Sequence, residues 1–340
     1  MPPSSSTGVP YTQVWAALPD ACPELFGADP RVRAVGITQA LDGGFALGVV
    51  RNAAAILPRR AKASIQASRF LDFDGIPVLV RDAAGDPTTL ARMPARPQDR
   101  PLAATRVPER APRRPLACGL EVQNLDDDLR QDLFPDYVTI GTLGGFVRLA
   151  GENRGRRRKD RILQPGTDEV ELAAPVATLH DFARLRKSPA RAHVANGDVN
   201  WNGIDAAVAF LYDDVAWEPR YLPARRTLPA PARWAPVKLG DEVFKVGRTT
   251  GLTRGTIVMT TLELGPVGYE LGPCWFRQCF AVENTSRDKP FSDGGDSGSL
   301  IVKPTGEAVG LLFAGDGTYT YACDLGRVLA RFKATLATAP

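Results

Sequence analysis

Residues 294–300 read Gly294-Gly295-Asp296-Ser297-Gly298-Ser299-Leu300, a serine between glycines in a chain of 340 residues. A glycine-flanked serine at a tight turn serves two ends. Its Oγ can project into a cleft, and its own backbone N–H can help bind negative charge developing on an oxygen. Gly295 can adopt the angles that aim a second N–H at the same point. A serine hydroxyl is a weak nucleophile until a neighbouring base takes its proton, so the rest of the chain must supply a partner. Only two histidines exist, His180 and His193, and both precede Ser297. Asp205, which heads the apolar run 206–211, precedes it as well.

Two glycine-flanked serine designs compete for this stretch. The strand–elbow–helix design reads G-x-S-x-G, with its acid and then its histidine further along the chain. Here Ser299 stands where the last glycine belongs, and no histidine follows Ser297. That leaves the order in which the serine comes last. The surroundings are short apolar runs separated by Gly, Asp and Asn, at 137–149, 176–179, 204–211, 242–246, 256–264, 279–282, 299–302, 308–313 and 319–322. Many short strands with glycine-rich turns predict a sandwich or barrel over 116–340. Apolar residues at helical spacing predict a closing helix at 325–336.

The first third has a different texture. Residues 13–26 predict a short apolar helix cut by Pro19. Strands are expected at 33–37 and 45–51, joined by the turn Asp42-Gly43-Gly44, with a helix at 61–70 and another strand at 76–81. Together they predict a small α+β domain over 1–91. Residues 92–115 (RMPARPQDRPLAATRVPERAPRRP) carry no apolar period and predict an extended linker.

Composition narrows the function classes. A net charge of +4 is too small to imply nucleic acid, and the basic clusters at 106–114 and 154–161 read as solvated loops. Residues 1–30 lack a basic segment followed by an apolar run, and no stretch approaches the ~18 apolar residues of a membrane span, so a cytoplasmic location and no membrane contact are expected. Five cysteines are an odd number. Cys274 and Cys279 are close enough to bridge a hairpin, but buried free thiols fit a reducing compartment better. No Cys/His spacing suits zinc, so neither metal nor cofactor is expected.

The stretch 294–300 resembles the nucleophile motif of the trypsin-like serine peptidases. Residues 243–257 (VFKVGRTTGLTRGTI) resemble the K-x-GRTTG-x-T-x-G hairpin of a bacterial and plant subgroup of that family. Residues 309–315 (VGLLFAG) resemble the strand that pairs with substrate backbone, and 202–211 (NGIDAAVAFL) the strand that begins with the triad aspartate. The resemblance covers about 140–329. It implies a mainly β fold, a trypsin-like double β-barrel preceded by the small α+β domain, and a peptide or protein substrate. It further implies Ser297 as nucleophile, Asp205 as the residue that orients an imidazole, and oxyanion donors at the Gly295 and Ser297 N–H groups. Phe291 falls where the family lines its specificity pocket, which would not favour basic side chains. Phe313, Ala314 and Gly315 fall on the substrate-pairing strand.

The chain departs from the family at the histidine. The subgroup's motif, similar to L-S-N-N-H-V-L-A, belongs shortly after a first barrel strand, here 140–148. Residues 162–166 (ILQPG) resemble the piece that follows it, yet no histidine lies between. His180, 25 residues before Asp205, follows a strand-like run and is the candidate base. His193, 12 residues before Asp205, leaves too short an interval for the strands that normally intervene. A serine–lysine dyad through Lys245 or Lys303 is a further route. Three readings follow: a serine endopeptidase working through an acyl-enzyme on Ser297, a peptidase homologue that binds peptide or protein without cleaving it, and a basic module meeting nucleic acid through 154–161.

Overall fold

The computed structural model describes residues 8–55, 72–90, 92–94, 108–124, 137–150, 160–165, 174–190, 192–222, 227–286 and 289–338. The helix expected at 61–70, residues 95–107 of the expected linker and most of the basic cluster 154–161 lie outside them. The described residues are mainly β, as the short apolar runs and glycine-rich turns implied.

The long antiparallel hairpin Gly251–Tyr269 and Gly272–Asn284 is the backbone of the larger sheet. From Gly251–Tyr269 the pairing passes to Glu242–Gly247, then Leu300–Val302, Glu307–Gly315 and Tyr319–Asp324. Tyr319–Asp324 pairs back onto Gly272–Asn284, so six strands close on themselves as a barrel. Side chains alternate across these strands. One set packs around Phe244, Phe276 and Tyr321, the other around Ile257, Phe280 and Leu312. A second body is a six-stranded sheet in the order Ala207–Leu211, Ala174–Phe182, Arg161–Gln164, Glu121–Asn124, Tyr137–Thr142, Arg92–Pro94.

The described strands between residues 32 and 89 are bonded into the larger sheet. Val32–Gln39 and Phe45–Asn52 form the expected hairpin, and Ile76–Ala83 lies parallel to Phe45–Asn52. Val32–Gln39 then pairs antiparallel with Gly251–Tyr269, Ala34 opposite Leu264 and Ile37 opposite Thr260. On this extension lies the helix Tyr11–Ala28. Its Val14, Leu18, Ala21, Cys22 and Leu25 recur at helical spacing and bury against Val35, Ile37, Leu47 and Val49. The expected break at Pro19 does not occur, and the helix runs through both Pro19 and Pro23. An interior proline costs a helix ~3 kcal/mol, whereas each large apolar side chain buried returns ~1.5–3 kcal/mol. Val14, Leu18, Leu25 and Phe26, all buried, together outweigh two prolines.

Three further expectations are refined. Part of the stretch read as a linker is structured: Arg92–Pro94 is an edge strand and Pro108–Arg110 a 3₁₀ turn with Glu109 buried; just past its end, Leu116–Cys118 pairs with Trp217–Tyr221. Strands of three residues need no apolar period, which is why the sequence concealed them. The run 137–149 is two strands, Tyr137–Thr142 and Val147–Leu149. The closing helix is shorter than expected, Leu325–Phe332, because Lys333 turns to positive φ and Ala334–Leu336 pairs with Val147–Leu149. All five cysteines are free and buried, so Cys274 and Cys279 are not bridged. No helix among the described residues is long and apolar enough to cross a membrane.

Candidate active site

The hairpin read as GRTTG is a cradle for Asp296. This carboxylate is fully buried, and all but one of its donors come from the hairpin some fifty residues earlier. Its Oδ1 accepts the N–H groups of Thr249 at 2.8 Å and Thr250 at 3.2 Å. Its Oδ2 accepts the Thr250 hydroxyl at 2.7 Å, the Asp293 N–H at 3.1 Å and the Lys245 ammonium at 3.0 Å. The lysine is equally buried, and Gly251 O takes a second of its donors at 3.2 Å. Burial lowers the Lys245 pKa, while the charge of Asp296 works in the opposite direction. Gly247 is required by the same packing. A Cβ there would lie 2.4 Å from Asp296 Oδ1 and 2.7 Å from Ser299 Oγ.

Arg248 carries the cradle across to the other body. Its guanidinium pairs with Glu121 of Glu121–Asn124, and both groups are buried. The Arg248 N–H donates to the Thr142 hydroxyl at 3.1 Å, which donates to Gly295 O at 2.9 Å, while the Thr142 N–H donates to Ser297 O at 2.8 Å. The serine turn is thus fixed from both sides. Neither lysine weighed as a base is free for Ser297, since Lys303 is held by Asp241 at 2.6 Å.

Ser297 opens, half-buried, onto a cleft of about 970 Å³ lined by residues of both bodies. Asp205 lines the same cleft, just before Ala207–Leu211. Its N–H donates to Cys323 Sγ at 3.2 Å, and its Oδ2 accepts the Tyr269 hydroxyl at 2.7 Å. Burial raises the Asp205 pKa, and the tyrosine bond partly opposes this. Burial and the neighbouring Asp205 push the Tyr269 phenol well up, so it keeps its proton and donates.

Ser297 and Asp205 are therefore brought to one cleft, and the histidines are not. His180 sits where the pairing of Ala174–Phe182 with Ala207–Leu211 shifts register. Its ring lies 4.2 Å from that of Phe210, and its Nδ1 is buried with no hydrogen-bond partner. His193 precedes a 3₁₀ turn, with its N–H donating to Asp198 at 2.6 Å. Among the described residues no histidine lines the cleft.

Tyr269→Phe would remove a bond to a charged, enclosed carboxylate, which is worth about 1.5–3 kcal/mol. Without it the Asp205 pKa rises further. A raised carboxyl pKa favours the folded state at low pH and loses that advantage as pH climbs through it. The deficit of Tyr269→Phe should therefore be larger at pH 7 than at pH 4, as read by urea unfolding at both. Equal deficits would show that Asp205 is not the partner that matters.

Apart from Ser297, the residues matched to oxyanion binding, pocket and pairing strand lie together beside the cleft rather than in its lining, which the pairing strand reaches through Leu311 and Leu312. Gly295, at a φ of 94°, donates its N–H to Leu90 O. Phe313 O accepts the Leu90 N–H at 3.1 Å, Thr89 stands opposite Ala314, and Thr88 opposite Gly315. Phe291 is buried in one apolar cluster with Leu90. Tyr269 and Leu90 escaped the sequence reading. Each meets its partner only through distant chain, and no local pattern marks them.

Residues 235–338 match the family model described as the Nal1 C-terminal domain. No curated protein matches the chain. Among solved structures the chain is similar to a chymotrypsin of Cellulomonas bogoriensis, at 16% identity and a TM-score of 0.38 over 58% of this chain and 91% of that one. It is similar to protease A of Thermobifida fusca at 17% identity and a TM-score of 0.39, over 59% and 92%. It is also similar to a Nocardiopsis protease at 14% identity and a TM-score of 0.36, over 65% and 92%.

Proposed function

We propose that the cleft is a peptide-binding groove on a serine-peptidase scaffold, in which Ser297 lacks the imidazole that would make it a fast nucleophile. One observation carries this reading: the carboxylate matched to the triad aspartate is bonded to Tyr269, while both histidines stand off the cleft. The scaffold itself is supported by the closed six-stranded barrel, by the braced serine turn and by Asp205 on the same cleft. An extended peptide would run along the cleft wall at Leu311 and Leu312 and continue onto 313–315 beside it, setting a side chain near Phe291 and directing a carbonyl oxygen toward the Gly295 N–H. Attack by Ser297 would then stall, because no imidazole lines the cleft to take its proton. Losing the base of such a triad costs ~10⁶ in turnover and leaves ~10³–10⁴ over water, so retention of peptide dominates over cleavage.

Fluorophosphonate labelling of the folded protein beside Ser297→Ala tests this. The expected result is no labelling of either. Labelling confined to Ser297 would overturn the reading and restore an endopeptidase acting through an acyl-enzyme. In that case His180, the candidate base, would have to leave Phe210 and turn into the cleft.

A further inference from the structure

The segment Asp86-Pro87-Thr88-Thr89-Leu90 makes its backbone bonds to the elements that frame Ser297. Pro87 O accepts the Gly268 N–H at 3.1 Å. Thr88–Thr89 adds antiparallel to the end of Glu307–Gly315. The Leu90 N–H is given to Phe313 and the Leu90 carbonyl receives the N–H of Gly295. Leu90 is 8% exposed and belongs to one apolar cluster with Phe291, Val243, Ile257, Phe280 and Leu312. A Cβ on Gly315 would lie 3.4 Å from Leu90 Cδ1, in ordinary contact along one wall. Upstream, Asp86 is tethered to Arg33 and, at 2.8 Å, to Asn52. Downstream, Arg92–Pro94 pairs with Tyr137–Thr142, the strand whose Thr142 braces the serine turn. The chain thus reaches one body through 88–90 and the other through 92–94.

We propose that residues 86–90 are an internal ligand of the groove formed by Gly295, Phe291 and 313–315, which adjoins the cleft where Ser297 and Leu312 line it. The groove takes an extended peptide with an aliphatic side chain of leucine size beside Phe291, and an outside peptide enters only by displacing this segment. The proposal rests on the peptide-groove reading and goes beyond it by naming the occupant and the side chain that is selected. Strand addition supplies sequence-independent bonds, while the pocket supplies the choice. The cluster around Leu90 is apolar, so a charged side chain would be desolvated there without a partner. A tethered ligand holds its site at an effective concentration on the order of millimolar, which keeps weak competitors out.

The test is fluorescence anisotropy with a fluorescein-labelled peptide amide, Gly-Asp-Pro-Thr-Thr-Leu, on the full chain. Leu90→Asp should expel the segment. Saturable binding at least tenfold tighter to Leu90→Asp than to the parent is expected, as is at least tenfold weaker binding of a peptide ending in lysine. Equal affinity of the leucine peptide for parent and variant, or no preference for leucine over lysine, overturns the proposal. Should Leu90→Asp not fold, hydrogen exchange on the parent decides. Several millimolar peptide should speed exchange at Leu90 while the Gly295 amide stays protected, and an unchanged Leu90 rate overturns the proposal. Fluorophosphonate labelling reads the serine separately. Leucine-selective binding without labelling leaves this inference standing, and labelling at Ser297 without such binding sinks it while sparing the nucleophile.

Discussion

Lys245→Met is expected to lose about 3–5 kcal/mol of stability, the cost of breaking a buried ion pair by removing one partner. Lysine and methionine are both unbranched, so the substitution opens little cavity and the loss reports charge. Asp296 would keep its donors from Thr249, Thr250 and Asp293. It would face them as a buried carboxylate with no cation beside it. Urea unfolding should show a lower midpoint with an unchanged slope. A loss under about 1 kcal/mol would show that the backbone and hydroxyl donors alone hold the serine turn. The same variant should loosen Gly295 and Ser297, because the residue between them is the one released.

The second large effect is expected at Arg248. Arg248→Met should also cost about 3–5 kcal/mol by leaving Glu121 charged in the interior. Here a partial rescue is diagnostic. Adding Glu121→Gln removes the stranded charge, so the double variant should be more stable than Arg248→Met alone. Strictly additive losses would show that the two groups do not act on each other. Arg248 lies in the barrel hairpin and Glu121 in the six-stranded sheet, so this pair is part of what sets the two walls of the cleft against each other.

How far the sequence reached follows from the distance over which each feature is determined. Alternating runs and glycine turns are local, so the mainly β character was legible, as was the hairpin at Asp42-Gly43-Gly44. The GRTTG letters were legible as a resemblance, but their reason was not: Gly247 has no room for a Cβ, and the two threonines feed Asp296. Asp205 and Ser297 could be matched by motif. The hydroxyl that actually meets Asp205 could not, because Tyr269 lies on a hairpin 64 residues away and carries no motif. The segment 88–90 was legible neither as a strand nor as a neighbour of Gly295. Two residues of strand have no period, and their partner strand comes more than two hundred residues later. Pro19 misled for the opposite reason. Its local preference is strong, and only the packing of Val14, Leu18 and Leu25 overrides it.

The pairing of Val32–Gln39 with Gly251–Tyr269 also sets a timetable for biosynthesis. Ala34 and its partner Leu264 are separated by most of the polypeptide. At a ribosomal rate of roughly 5–20 residues per second, the leading hairpin waits tens of seconds for the strand it must join. Throughout that interval the edge of Val32–Gln39 that later receives the barrel strand offers unpaired N–H and C=O groups, and its Val35 and Ile37 belong to a core cluster. The nascent chain therefore needs a chaperone from the moment this hairpin emerges until the strand around Leu264 is made, shortly before the serine turn is translated.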